Sequence, residues 1–244
     1  MSRPSRPKER RPALAAREVT KAYSDLVALA PLTLTIPAGE RVALVGHNGS
    51  GKSTFLRLAA GMLELTAGEI TVAGHPVGSP EARAATSYIP DSPVLYEDLS
   101  VREHLAYIAS LHGVDASDEQ FEQLVEAVGL AARADDLPAR FSRGLRQKAA
   151  IAVGLVRPFR LLLVDEPFVG LDVPGRGALL DLLDGAHGVG SAIVVATHEP
   201  SYVERVDRCI ALRDGELVHD GPATPADVVR LVGAGDAVGD AAAR

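Results

Sequence analysis

Residues 41–54 read RVALVGHNGSGKST, and Gly46, Gly51, Lys52 and Ser53 fill the pattern G-x-x-x-x-G-K-[ST]. An apolar run precedes the pattern, and FLRLAAGML, with a helical spacing of apolar residues, follows it. The glycines let the backbone curl so that N–H groups of the run Gly46, His47, Asn48, Gly49, Ser50, Gly51, Lys52, Ser53 and Thr54 face one oxyanion. A helix opening at that point adds partial positive charge. Lys52 reaches the β- and γ-phosphates of a nucleotide, and the Ser53 hydroxyl suits Mg²⁺. His47 is expected to contribute its backbone N–H rather than its ring.

Two further stretches carry polar groups at the ends of apolar runs. LLLVDEP, residues 161–167, closes on two carboxylates. Asp165 at the strand end is placed to hold Mg²⁺ directly or through water, and Glu166 beside it can polarise a water for attack on the γ-phosphate. AIVVATHEP sets His198 just after another apolar run. In open α/β sheets ligands gather at the carboxyl ends of strands, so Gly46, Asp165 and His198 are expected to converge. A fourth stretch, FSRGLRQKAA (141–150), shows no paired nucleophile and base, but Ser142 and Gly144 at the mouth of a helix make an anion site.

The elements needed to position these groups are legible in outline. Leu32, Leu34 and Ile36 alternate with Thr33 and Thr35, the period of a half-buried strand. Residues 161–165 and 192–197 are continuous apolar runs, as central strands covered on both faces require. Asp214-Gly215 between CIALR and ELVHD signals a type I′ hairpin. SDEQFEQLVEAVGL opens with a capping box at Ser117 and Gln120, and Phe121, Leu124, Val125 and Val128 form a core-facing stripe that Gly129 can close. Strands alternating with helices predict an α/β domain, interrupted from about Val101 to Gly154 by a helical sub-lobe.

Composition narrows the function classes. With 244 residues and 47% hydrophobic side chains the chain can bury a sizeable core. A net charge of −7 argues against general binding to nucleic-acid backbone. The lone Cys209 excludes an internal disulfide framework, fits a reducing cytosol and is expected as a small buried residue. No apolar run approaches the roughly 18 residues a membrane span needs. Residues 1–12 are read as a disordered basic tail with no signal peptide, open to weak attraction by anionic lipid, and residues 233–244 as a flexible tail.

The order of these motifs resembles the ATP-binding cassette (ABC) ATPases, the motor subunits of ABC transporters. The resemblance runs from about Leu14 to Val232, and it implies a P-loop NTPase fold over 13–232. That fold has a mixed, largely parallel core sheet, an N-terminal antiparallel β region and a helical sub-lobe at about 95–154. GHNGSGKST corresponds to the Walker A cradle and LLLVDEP to Walker B, which makes Glu166 the catalytic base. His198 corresponds to the switch histidine that contacts the γ-phosphate, VGLD (169–172) to the D-loop, and FSRGLRQK to the signature motif. Tyr23 corresponds to the aromatic residue that stacks on adenine, flanked by Val27.

Three departures from the family pattern stand out. YIPDSPVLYE carries Asp91 where the family usually has Gln; an Asp oxygen can still serve Mg²⁺, but the amide donor is lost and charge is added. Val169 replaces the usual D-loop Ser and removes a hydroxyl. Arg143 and Leu145 replace the usual Gly and Gln of the signature, and Arg143 either adds positive charge beside a facing γ-phosphate or points away to the sub-lobe surface. The basic signature and YIPDSPVLYEDLSVREHL are similar to the ABC-2/Ecs-type exporter branch.

The resemblance implies ATP and Mg²⁺ as cofactors, and as partners a transmembrane permease and a second ABC ATPase subunit in a homo- or heterodimer. It implies a cytoplasmic protein, peripheral on the inner face of the cell membrane, that touches the membrane through its permease. The loop around Val94, Leu95 and Tyr96 either couples to the permease or packs internally. Sugar importers often append a regulatory domain, which leans this sequence towards export. A soluble ABC ATPase acting on ribosomes or DNA is the alternative, and a small-molecule kinase accounts for neither FSRGLRQK nor the Ala-Thr-His turn.

Overall fold

Val42, Ala43, Leu44 and Val45 are all buried although they are consecutive, so both faces of their strand must be covered. The computed structural model describes residues 11–233, and it covers them with two different layers. Of the tails expected at 1–12 and 233–244, residues 1–10 and 234–244 lie outside the described residues, and Gly233 is the last residue of the final helix.

In chain order, β1 (Leu14–Tyr23), β2 (Leu26–Ile36) and β3 (Arg41–Val45) lead to α1 (Lys52–Ala59). Next come β4 (Ala67–Val72), β5 (His75–Pro76), α2 (Pro80–Ala85) and β6 (Thr86–Ile89). The helical insertion holds α3 (Val101–Leu111), α4 (Asp118–Ala127) and α5 (Arg143–Leu155). The chain returns through β7 (Leu161–Asp165), α6 (Val173–Gly188), β8 (Ala192–Ala196), β9 (Arg208–Arg213), β10 (Glu216–Gly221) and α7 (Pro225–Gly233).

The strands form two sheets. An antiparallel sheet runs β2-β1-β4-β5, and a mixed sheet runs β10-β9-β3-β8-β7-β6, parallel except for β10. Alternation along the central strands divides the core in two. Ala43, Val45, Leu162, Val164, Ile193 and Val195 face the helical insertion, whereas Val42, Leu44, Leu161, Leu163 and Val194 face α1 and the antiparallel sheet. In β2, Leu32, Leu34 and Ile36 are buried and Thr33 and Thr35 exposed, as period two requires.

Local chemistry sets the element ends. The capping box at Ser117 and Gln120 forms, and Gly129 has φ of 71° after the helix. Ser100 and Glu103 make a second box at the start of α3. Helix α1 is shorter than FLRLAAGML suggests, because Gly61 adopts φ of 72°. Met62 N–H then donates to Arg57 O at 2.9 Å and Gly61 N–H to Leu58 O at 3.0 Å, a Schellman close. Asp214 and Gly215 both have positive φ, 50° and 81°, as a type I′ hairpin demands. Cys209 is fully buried in β9, and burial pushes its thiol up to about 11.

Candidate functional site: a phosphate cradle and an acid–histidine corner

Strand β3 is flanked by β9 and β8, and its carboxyl end delivers residues 46–51 into a tight loop before α1. A Cβ on Gly46 would lie 2.3 Å from Leu212 O and 2.4 Å from Ser50 Oγ, so only glycine fits there. Gly51 sits at φ of 103°, with Ala28 O 3.0 Å from where its Cβ would be. The β9–β10 hairpin braces this loop: Gly215 N–H donates to Ser50 O at 3.1 Å, and Gly215 O accepts from Ala30 N–H at 2.9 Å. The His47 ring lies against its own loop, with Nδ1 2.7 Å from Asn48 O and Nε2 3.3 Å from the Asp214 carboxylate.

Lys52 is buried at the head of α1. Its Nζ donates to Gly46 O at 2.7 Å and to His47 O at 3.2 Å, so the ammonium is held inside the loop it would neutralise. Ser53 and Thr54 follow in the first turn of the same helix.

The parallel register of β7 and β8 pairs Asp165 with Ala196, which sets Glu166 and His198 side by side beyond the sheet edge. Thr197 N–H donates to Leu44 O at 3.0 Å and ties the same edge to the cradle strand. Asp165 is buried, and neither carboxylate oxygen has a protein hydrogen-bond partner. Burial raises its pKa; the Ser53 hydroxyl and Lys52 oppose the shift, and the charges of Glu166 and Asp91 add to it. A buried unpaired carboxylate beside a serine hydroxyl is a hard-oxygen donor set that fits Mg²⁺, an ion that keeps several waters and needs few protein ligands. Among the described residues there is no cluster of three or more acidic, His or Cys side chains that would serve a protein-caged metal instead.

Glu166 adopts φ of 46°, a left-handed conformation rare outside glycine, fixed by its N–H donating to Ala196 O at 2.8 Å. Its Oε2 accepts from His198 Nδ1 at 2.9 Å, which requires the proton of the ring on Nδ1. Its Oε1 is buried, lacks a hydrogen-bond partner and lies 3.7 Å from Lys52 Nζ. Lys52, Glu166 and His198 thus form one contiguous line.

The signature stretch lies elsewhere. Ser142 caps α5, its Oγ accepting from Leu145 N–H at 3.3 Å. A Cβ on Gly144 would stand 2.5 Å from Gly170 O, so the start of α5 is pressed against the turn before α6. Lys148 Nζ reaches Asp172 Oδ1 at 2.9 Å, and this contact holds the Asp172 carboxyl below its ordinary range while Asp172 caps α6. Arg143 stays largely exposed and pairs with Asp91 at 3.1 Å. Asp91, weighed as a metal ligand, therefore has its Oδ1 engaged by a guanidinium. No hydrogen bond or ion pair joins Ser142 or Gly144 to the cradle among the described residues.

Tyr23 ends β1 opposite Leu26, and Ala22 pairs with Val27; Tyr23, Leu26 and Val27 are all exposed. Lys21 Nζ stands 4.8 Å from the Tyr23 ring centroid and occupies one of its faces. Sequence reasoning missed the bracing by Asp214 and Gly215, the Asp91–Arg143 pair and the Lys148–Asp172 pair. Only the first had a local signal, the hairpin dipeptide.

A glycine-braced phosphate loop at a switch between parallel strands, with an acid and an acid–histidine pair on the neighbouring strand ends, defines a P-loop nucleoside triphosphatase. Comparison with known proteins narrows the class. Residues 29–169 match the family model described as ABC transporter. The SkfA peptide export ATP-binding protein SkfE of Bacillus subtilis (strain 168) is 33% identical over 84% of this chain and 87% of its own length. The ABC-type transporter ATP-binding protein EcsA of the same organism is 32% identical, over 84% and 85% respectively. A solved structure titled "Structure of ATP binding subunit of ABC transporter" superposes with a TM-score of 0.80 at 32% identity, covering 89% of this chain and 92% of that one.

The chain belongs to the ABC transporter family, as one of its ATP-binding subunits. It binds and hydrolyses ATP to power transport, and no helix among the described residues is long and apolar enough to cross a membrane.

Proposed function

We propose that this subunit drives a separate membrane permease, in the export direction, through the ATP-dependent pairing of two cassettes head to tail, with a second copy or a related subunit. The observation that carries the reading is the Lys52–Glu166–His198 line at the end of the parallel strands. On nucleotide binding Lys52 exchanges the Gly46 and His47 carbonyls for phosphate oxygens. Glu166 Oε1, the oxygen left without a hydrogen bond, accepts the proton of the water that attacks the γ-phosphorus as the bond to the β-phosphate oxygen breaks. His198 holds Oε2, so the carboxylate presents one defined oxygen, and in the doubly protonated ring Nε2–H can donate to the γ-phosphate. Ser53 and Asp165 would hold Mg²⁺, which supplies charge neutralisation on the phosphates when bound. Tyr23 and Val27 offer the base a flat exposed platform.

Ser142 and the backbone at Gly144 present a helix N-terminus suited to a γ-phosphate held on the facing chain. Loss of that phosphate weakens the pairing, and the chains separate. The permease reading draws on the sub-lobe surface. Leu95 packs inward, but Val94 is 94% exposed and Tyr96 stands beside exposed Tyr107, ring centroids 5.7 Å apart. His104, buried beneath, accepts from Tyr96 N–H at 2.9 Å and fixes the loop. An apolar face held in this way suits a partner's helix, which supports docking of the subunit at the cytoplasmic face of the membrane. Export draws on relatives named for peptide export and for macrolide export.

Glu166→Gln should bind ATP without splitting it and so accumulate the pair. Light scattering on that variant at saturating ATP–Mg²⁺ is expected to report a dimer, and a persistent monomer removes the head-to-tail reading.

A further inference from the structure

Arg143 is an ill-suited first residue for a helix. It puts a positive charge at the positive end of the α5 dipole, and the first turn carries no acidic side chain. A cation there is tolerable where an anion is supplied from outside the helix. Asp91, 52 residues earlier in the link between β6 and α3, supplies it at 3.1 Å. The aliphatic stem of Arg143 also covers the D-loop turn, its Cγ and Cδ lying 3.6 and 3.7 Å from where a Cβ on Gly170 would be. One side chain therefore touches the signature helix, the D-loop and the segment that leads from the sheet to the helical insertion.

Both partners are more than a third exposed, so the pair is weak and easily exchanged for a more highly charged anion. Asp91 lies two residues beyond Ile89, which pairs with Val164 next to Asp165, so the pair borders the metal corner of its own chain.

We propose that Arg143 is an exchangeable positioning residue. Asp91 of its own chain holds it while the facing site is without nucleotide, and the γ-phosphate bound on a second cassette takes it over when the two close. The exchange rests on the head-to-tail pairing proposed above. It frees the Asp91 carboxylate beside Asp165 at the moment the signature captures the other nucleotide, and so links the two ATP sites of a pair through one ion pair.

The test is a double-mutant cycle in the full chain carrying Glu166→Gln, with dimerisation followed by light scattering against ATP–Mg²⁺ concentration. Asp91→Asn removes the competing anion and should lower the ATP needed by about two- to fivefold, the range of an exposed pair. Arg143→Gln should raise it, and Arg143→Lys should restore part of the loss. In the Arg143→Gln background, Asp91→Asn should change nothing, because there is no guanidinium left to release. If Asp91→Asn keeps its full effect in that background, or raises the ATP requirement, Asp91 acts on its own site and the exchange is wrong. A Glu166→Gln parent that never dimerises overturns the pairing and the exchange together. A parent that dimerises while the cycle is additive overturns the exchange alone.

Discussion

The acid–histidine corner and the signature corner solve opposite problems. At the first, Asp165 is buried with both oxygens unpartnered and Glu166 keeps one oxygen unpartnered in a left-handed backbone. At the second, the groups at the surface have partners within the chain: Ser142 a backbone amide, Arg143 a carboxylate, Lys148 the Asp172 carboxylate; only the buried Gln147 Nε2 beneath them lacks one among the described residues of that stretch. The first corner stores unfavourable free energy that a bound cation and phosphate relieve, which makes it strong for its ligand and poor for stability. The surface of the second is satisfied within the chain, so a ligand reaching Ser142 or Arg143 must displace partners already present. A site that completes itself with a small ion can be strained, whereas a surface that waits for another protein has to be stable and soluble while it waits.

Three substitutions break or sharpen this contrast. The largest effect is expected for Lys52→Ala, which removes the one ammonium inside the cradle. Steady-state ATP hydrolysis should fall about a hundredfold or more, as when a preorganised donor is removed, and undiminished turnover would take the cradle out of its assigned role.

Gly144→Ala comes next. Helix propensity alone favours Ala over Gly by about 1 kcal/mol. A Cβ 2.5 Å from Gly170 O works against it, because backbone stands on the other side of the contact. Overpacking of this kind costs about 1–3 kcal/mol, so net destabilisation in urea unfolding is the expected sign, and a stabilised variant would show that the two segments separate freely.

The smallest effect carries the opposite sign. In folding stability, Asp165→Asn should favour the nucleotide-free chain by about 1 kcal/mol, since a buried carboxylate without a partner is lost. The raised pKa means that the native state holds the proton more tightly than the unfolded chain. The stability contributed by protonated Asp165 is present below the ordinary aspartate range and is lost as pH rises through the raised value. The advantage of the Asn variant should therefore grow from acid towards neutral pH. An advantage that shrinks with rising pH contradicts the unpartnered carboxylate.

What could be read from the sequence follows from how far apart the interacting groups are. The cradle, the buried strands and the Asp214-Gly215 turn are specified by residues within a few positions of one another, so pattern and turn chemistry suffice. The capping box at Ser100 and Glu103 carried the same signal as the one at Ser117 and was equally legible. The short α1 followed from Gly61, a glycine that a helical spacing of apolar residues tends to conceal. Asp91 and Arg143 each departed from the family pattern and looked like separate puzzles. Their partnership needed three dimensions, because the helical insertion folds back before the two meet. The backbone of Glu166 was not legible either: its left-handed φ is imposed by the Ala196 carbonyl of a neighbouring strand, not by any preference of glutamate.

The placing of β3 between β8 and β9 has a consequence for synthesis. The strand that carries the phosphate loop finds both of its neighbours in the last quarter of the described chain, at residues 192–196 and 208–213. A nascent chain emerging from its N-terminus makes the cradle sequence early but has no sheet in which to set it until those strands arrive. Such long-range parallel pairing forms late and slowly. The apolar run Val42–Val45 must then wait unpaired through most of translation. The nucleotide site is therefore late to assemble, although the cradle is made well before the strands that flank it.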